Sequence, residues 1–307
     1  MSTAPRELQI GTLASPEILR SPQPVRLAFA REILDAGIDH VFVADHVSFH
    51  VGAGMDGLIN AASLTALDPA LRVCVGVYLL ALRNPVTVAR QLATLSETSP
   101  GQLIFGVGIG GEDRNEIAMC GIDPRTRGRR TDECLEVLNK LLLGEPVDHD
   151  GEFYRFERGW IEPRPEPRIP IVVGGRSAAA VERAGRHGDG WLGTWISPKR
   201  FEGVVEQLAP RFSADRPPLH GLQVWVGFDD DRERARDRLA RGMEDFYKTP
   251  FAAFEKYSPY GRPEDVAAFL RPYRDAGCRL FNIMPLAASE SAGIEGVAEV
   301  RRLLRED

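Results

Sequence analysis

Short runs of apolar, β-branched residues alternate along the whole 307-residue chain with stretches whose apolar positions recur every three or four residues. The first pattern predicts strands at residues 8–12, 40–44, 72–77, 103–107, 169–173, 190–194, 222–228 and 279–284. The second predicts helices between them, with stripes such as Val25, Phe29 and Ile33, then Val88, Leu92 and Leu95, then Leu135, Leu138 and Leu142. Ser197 before Pro198 and the Pro263, Glu264, Asp265 run are helix starts, whereas Pro272 limits the length expected of the last-named helix. Strands in strict alternation with helices require a parallel sheet with right-handed crossovers. At this length a closed (β/α)8 barrel occupying residues 1–307 as one domain is the economical solution, and an open doubly wound sheet is the other. Two segments exceed the minimal repeat: a polar loop at 109–123 after the fourth strand, and an aromatic, proline-rich stretch at 146–168 after the fourth helix. The latter either shapes a ligand site or forms a surface hairpin packed on its own rings.

Composition narrows the partners. A net charge of −6 disfavours nucleic acid and anionic membranes, either of which needs a basic face. No run approaches the roughly 18 to 20 apolar residues of a membrane span, and the first residues carry no apolar signal core, so a cytoplasmic protein is expected. Cys74, Cys120, Cys134 and Cys278 lie far apart, which suggests neither disulfides nor zinc, and no His, Asp and Glu cluster has metal-ligand spacing. Arg125, Arg127, Arg129 and Arg130 form a local exception to the acidic balance. They read either as a solvated cluster paired with Asp132 and Glu133 or as a patch for an anionic ligand tail.

In a barrel the working residues come from the C-terminal ends of strands. The fifth strand ends in Gly174, Gly175, Arg176 and Ser177, which together offer uncovered amides, a fixed positive charge and a helix cap. A phosphate site is one reading and an ordinary strand-to-helix turn the other. The second strand delivers Asp45 and His46, an acid beside the one side chain able to give or take a proton near neutrality. Beyond Gly76 and Val77 the third strand stays apolar for too long to be a plain exit, which suggests a bulge. The fourth ends in alternating glycines that include Gly108 and Gly110, without the helix-opening GxGxxG of a dinucleotide fold. Trp191 and Trp195 fall on one face at the end of the sixth strand, where either could line a ligand edge or pack in the core.

Four motifs in order, Val-Ala-Asp-His46, Leu-Arg83-Asn-Pro-Val, Gly-Val-Gly-Ile-Gly-Gly followed by Arg-Gly-Arg-Arg, and Ile-Val-Val-Gly-Gly-Arg-Ser, resemble the luciferase-like flavin and deazaflavin oxidoreductases. The resemblance spans nearly the whole chain. It implies a homodimeric barrel enzyme that binds coenzyme F420, or alternatively FMN, and acts on a small organic molecule. Gly174, Gly175, Arg176 and Ser177 would hold the cofactor phosphate. Gly76 and Val77 would form a bulge, often a non-prolyl cis peptide, behind the ring, with Gly108, Gly110 and Trp195 at its edge. His46 would be the proton donor or acceptor, oriented by Asp45. The Asp-His ending is more similar to the F420 branch, implying hydride transfer, whereas FMN would imply monooxygenation with O2. An acid that follows the glycines directly in sugar-phosphate-oxidising members is displaced here to Glu112, which puts that role and that substrate class in doubt.

Overall fold

The structure, a computed structural model, describes residues 6–50, 52–111 and 113–306. Eight parallel strands close a barrel: β1 (Gln9–Leu13), β2 (His40–Val43), β3 (Val73–Leu79), β4 (Leu103–Gly108), β5 (Ile171–Gly174), β6 (Gly190–Thr194), β7 (Gly221–Phe228) and β8 (Leu280–Leu286). Neighbours pair in chain order from β1 to β8, and β8 returns to β1 with Gln9 opposite Leu280. All residues of β2, β4 and β5 are buried, as expected of parallel strands covered on both faces, and this is why they stand out as unbroken apolar runs. Phe42, Cys74, Ile104, Val172, Leu192 and Leu280, one from each of six strands, belong to a buried cluster distinct from the larger core.

The outer layer contains α1 (Gln23–Asp35), α2 (Gly57–Thr65), α3 (Pro85–Thr98), α4 (Arg127–Leu141), α5 (Ala178–His187), α6 (Pro198–Leu208), α7 (Arg232–Tyr247), α8 (Pro263–Asp275) and α9 (Glu290–Glu306). Their starts carry ordinary caps. Asn84 accepts from the amides of Val86 and Thr87 at the head of α3, and Ser197 from Arg200 at the head of α6. Pro272 does not shorten α8. It sits in the last turn, where the bond it forfeits is outweighed by buried Tyr273, whose hydroxyl donates to the Ile196 carbonyl at 2.6 Å.

Both insertions are more ordered than a loop. The segment at 109–123 contains a short helix, Arg114–Met119, and the chain after β2 forms a hairpin of His46–Phe49 and Ala53–Met55. The 146–168 segment is the surface hairpin of the two alternatives, Val147–Asp150 against Arg155–Gly159. Glu133 of α4 pins it, accepting from His149 Nε2 at 3.1 Å and from the amides of Phe153 and Tyr154.

Two histidines are buried in neutral form. His40 contacts Asn282 Oδ1 at 2.8 Å, and His220 Nδ1 accepts from the Trp191 amide at 3.2 Å. Burial lowers both to about 4, the Asn282 contact offsetting part of the effect for His40. The unfolded chain takes up these protons near pH 6.5 and the native chain does not. Stability is therefore complete above pH 6.5 and lost as pH falls toward 4. Urea unfolding at pH 7 and 4.5 is expected to differ by about 2 kcal/mol for each histidine, and His220→Gln should remove one share of that difference. Equal pH slopes in the two proteins would refute the assignment.

Candidate active site

His46 opens the hairpin above β2 with its side chain 22% exposed. The helix Arg114–Met119 lies against that hairpin, capped by Asp113, whose carboxylate also accepts from the His50 amide at 2.8 Å. One turn along, Glu116 is buried and holds three groups of the hairpin: His46 Nδ1 at 3.0 Å and the amides of Val47 and Ser48 at 2.6 and 3.1 Å. A carboxylate can only accept, so Nδ1 carries the proton and the neutral ring has its basic nitrogen at Nε2. His46 packs on Phe49, ring centres 4.3 Å apart.

The carboxylate in contact with His46 is that of Glu116, whereas Asp45, expected to orient the ring, is bonded elsewhere. Asp45 is 2% exposed, and its carboxylate accepts from the amides of Gly57 and Leu79, each at 2.9 Å, and from both terminal nitrogens of Arg83 at 2.7 and 2.8 Å. Successive residues of an extended chain point to opposite sides, which sends Asp45 inward when His46 faces the mouth. Burial pushes the Asp45 carboxyl up, against the pull of Arg83. Burial works most strongly against the Arg83 charge, but Asp45, Tyr78 and Asp56 together leave that group raised.

On β3 the register against β4 shifts between Val75 and Tyr78, and the peptide joining Gly76 and Val77 is cis. This is the expected bulge, and its surroundings explain the neighbouring glycines. A methyl group on Gly108 would stand inside the Val77 side chain, and one on Gly174 would come within 2.9 Å of it. A side chain on Gly76 would meet Asn282 and Gln223 at 2.9 and 3.0 Å. Beyond β4, Gly110 and Gly111 both adopt positive φ, at +62° and +134°. Glu112 lies outside the described residues.

At the end of β5, Gly174 is buried and Gly175 takes φ +126°, its carbonyl accepting from Trp191 Nε1 at 2.6 Å. Arg176 and Ser177 are exposed at the head of α5, where the Ser177 hydroxyl caps the Ala180 amide. Arg200 braces the turn by donating to the Arg176 carbonyl at 2.6 Å, a contact with no signal in the local sequence. The Arg176 guanidinium lies 5.5 Å from the centre of the partly exposed Trp195 ring. Trp191, by contrast, is fully buried against Phe201 and belongs to the core.

The arginine cluster is mostly paired. Arg125 binds Asp123, Arg129 binds Glu152, and Arg130 stacks on Phe153 at 4.2 Å, while Asp132 is taken by Arg183. Arg127 alone reaches the β4 loop. It donates to the Pro124 carbonyl and lies beside Gly111, where a methyl group would be 3.3 Å from its guanidinium. Among the described residues no group of three or more His, Cys, Asp or Glu is placed to hold a metal ion.

The barrel, the bulged third strand and the glycine turn after the fifth accompany a match to the family model for luciferase-like monooxygenases over residues 14–279. The chain belongs to that family. This luciferase-like chain is 31% identical over 252 residues to an F420-dependent glucose-6-phosphate dehydrogenase of Nakamurella multipartita, covering 75% of this chain and 71% of the relative. It is 33% identical over 245 residues to the protein of the same name from Mycolicibacterium fortuitum, with 75% and 71% covered. Its fold matches an F420-dependent secondary alcohol dehydrogenase bound to an F420-acetone adduct, with a TM-score of 0.82, 20% identity, and 98% and 100% of the two chains covered. It also matches an EDTA monooxygenase from Chelativorans, with a TM-score of 0.76, 17% identity, and 98% and 94% covered.

Proposed function

We propose that this enzyme uses coenzyme F420 to move a hydride to or from a small organic substrate, with His46 handling the accompanying proton. The observation that carries the reading is the His46 imidazole, fixed through Nδ1 by buried Glu116 on the rim that also bears the bulge and the residue 174–177 turn. That the enzyme is an F420-dependent oxidoreductase follows from its sequence relatives. Its own residues fit such a group. The Gly175 amide is not uncovered, since it donates to the Leu192 carbonyl at 3.2 Å, so the phosphate would sit at the amides of Arg176 and Ser177 beside the Arg176 side chain and the head of α5. The ring would lie over Gly76 and Val77 toward Gly108, Gly110 and Trp195. When bound, a deazaflavin supplies a carbon that donates or accepts hydride and leaves oxygen alone.

The names of the sequence relatives and of the alcohol dehydrogenase share oxidation at a carbon that bears oxygen. In that direction Nε2 of His46 takes the hydroxyl proton as the carbon loses hydride. In reverse it returns the proton to the carbonyl oxygen. Glu116 stabilises the imidazolium formed in between, and its carboxylate needs no rearrangement because the two hairpin amides already fix it.

The second reading, monooxygenation with reduced FMN and O2, draws on the family model and the EDTA monooxygenase fold. Titrating the protein with each cofactor separates the two. Tight F420 binding with weak FMN binding is expected, and tight FMN binding without F420 affinity would overturn the first reading. A homodimer in the cytoplasm completes the proposal. Ile59 and Met119, 69% and 59% exposed, are apolar surface that self-association would cover, and sedimentation of the purified chain measures it. Among the described residues no helix is long and apolar enough to cross a membrane.

A further inference from the structure

His46 and Arg176 mark the two ends of a wall with unusual chemistry. The short way round the barrel from β2 to β5 passes the glycines of β3 and β4, where the cofactor fits. On the other side aromatic rings in unbroken contact run from the hairpin after β2, past the end of α7, to β7 and the chain after β6. Phe49 touches His46 at 4.3 Å and Phe246 at 5.5 Å, and Phe246 meets Trp225 at 5.8 Å and Tyr247 at 4.8 Å. Tyr247 meets Trp195 at 5.0 Å, and Trp195 meets Phe254 at 4.8 Å. Phe246 and Tyr247 reach this position because α7 ends there, above the extended ends of β7 and β8.

None of these six side chains carries a charge at neutral pH, and Trp225 Nε1 is used within the wall, donating to the Tyr247 hydroxyl at 3.1 Å. The cation at the far end, Arg176, belongs to the phosphate turn, and the acid at the near end, Glu116, is 2% exposed and committed to the hairpin. The polar atoms of the arc are few, the Trp195 and Trp225 indole nitrogens, the Tyr247 hydroxyl and the His50 ring that packs on Phe49 at 4.0 Å, so a phosphorylated sugar placed here would give up water at its hydroxyls mainly against ring faces. Flat apolar groups gain both burial and ring contact.

We propose that the substrate of this chain is a neutral, flat, predominantly apolar alcohol or its ketone, held between the cofactor and this aromatic arc, and not a sugar phosphate. This rests on the deazaflavin reading above. The carbinol carbon gives up hydride and its hydroxyl gives a proton to Nε2 of His46, so the two electrons leaving the alcohol are those that reduce the deazaflavin.

Calorimetric titration of the F420-loaded protein with acetophenone and with glucose 6-phosphate tests it. Acetophenone should bind and glucose 6-phosphate at the same concentration should not. Phe246 is 40% exposed, so Phe246→Ser leaves the fold and the F420 affinity intact and weakens acetophenone binding about tenfold. Glucose 6-phosphate binding more tightly than acetophenone, no acetophenone binding, or an affinity unaffected by Phe246→Ser would each overturn the proposal. Should F420 itself fail to bind, the cofactor reading falls instead, and the same titrations on the FMN-loaded protein decide the nature of the wall.

Discussion

His46→Ala lowers turnover by about 10²- to 10⁴-fold and leaves F420 affinity unchanged. The affinity survives because the groups that fit the phosphate and the ring come from β3, β4 and β5 and the turn before α5, none of which leans on the imidazole. Turnover collapses because the neighbouring acids cannot replace it: Glu116 is buried against Nδ1, and Asp45 is turned inward to Arg83. Glu116→Ala should cost nearly as much with KM unchanged, since it frees the ring and leaves the Val47 and Ser48 amides unpaired. Glu116→Gln should recover part of the loss, because its amide oxygen still accepts from Nδ1 while the negative charge is gone. Single-turnover rates with the preloaded cofactor measure all three variants. Unaltered turnover in His46→Ala would remove the histidine from the mechanism.

The barrel was legible because its strands are buried on both faces. Runs such as Ile171–Gly174 and Leu103–Gly108 have no alternation to confuse with a surface strand, and the glycines that end them mark the mouth. The place of the Asp45 and His46 pair was legible for the same reason, as the first titratable side chains past an apolar run. The partner of His46 was not. Glu116 lies 70 residues downstream, inside a stretch read as a polar loop. A local signal was present nonetheless: Asp113 three residues before Glu116, ahead of Ile117 and Ala118, is the spacing of a capped helix start. Adjacency in sequence does not bring Asp45 to His46, because an extended backbone turns neighbouring side chains to opposite sides. The aromatic arc had no sequence signal at all, since it depends on where α7 ends relative to the hairpin after β2, a matter of tertiary packing.

Asp45 is expected to matter for stability far more than for the chemistry, and Asp45→Ala should lower unfolding free energy by about 3 to 5 kcal/mol. Its side chain is fully buried and Arg83 only 17% exposed, so the substitution leaves a guanidinium out of water with weaker company: the Tyr78 ring at 4.4 Å, the Leu79 carbonyl at 3.2 Å and Asp56 at 3.4 Å. It also strips the acceptor from the amides of Gly57 and Leu79, which fix the head of α2 and the far end of β3. The pair therefore ties the second strand to the exit of the bulged third, holding His46 and the Gly76-Val77 peptide on one frame. Arg83→Met removes the opposite charge, and the double variant should be less destabilised than the sum of the two single changes, because no uncompensated ion remains. Urea denaturation of the four proteins gives this coupling directly, with kcat measured well below each transition midpoint. Additive losses, or a kcat for Asp45→Ala as low as that of His46→Ala, would return Asp45 from the frame to the reaction.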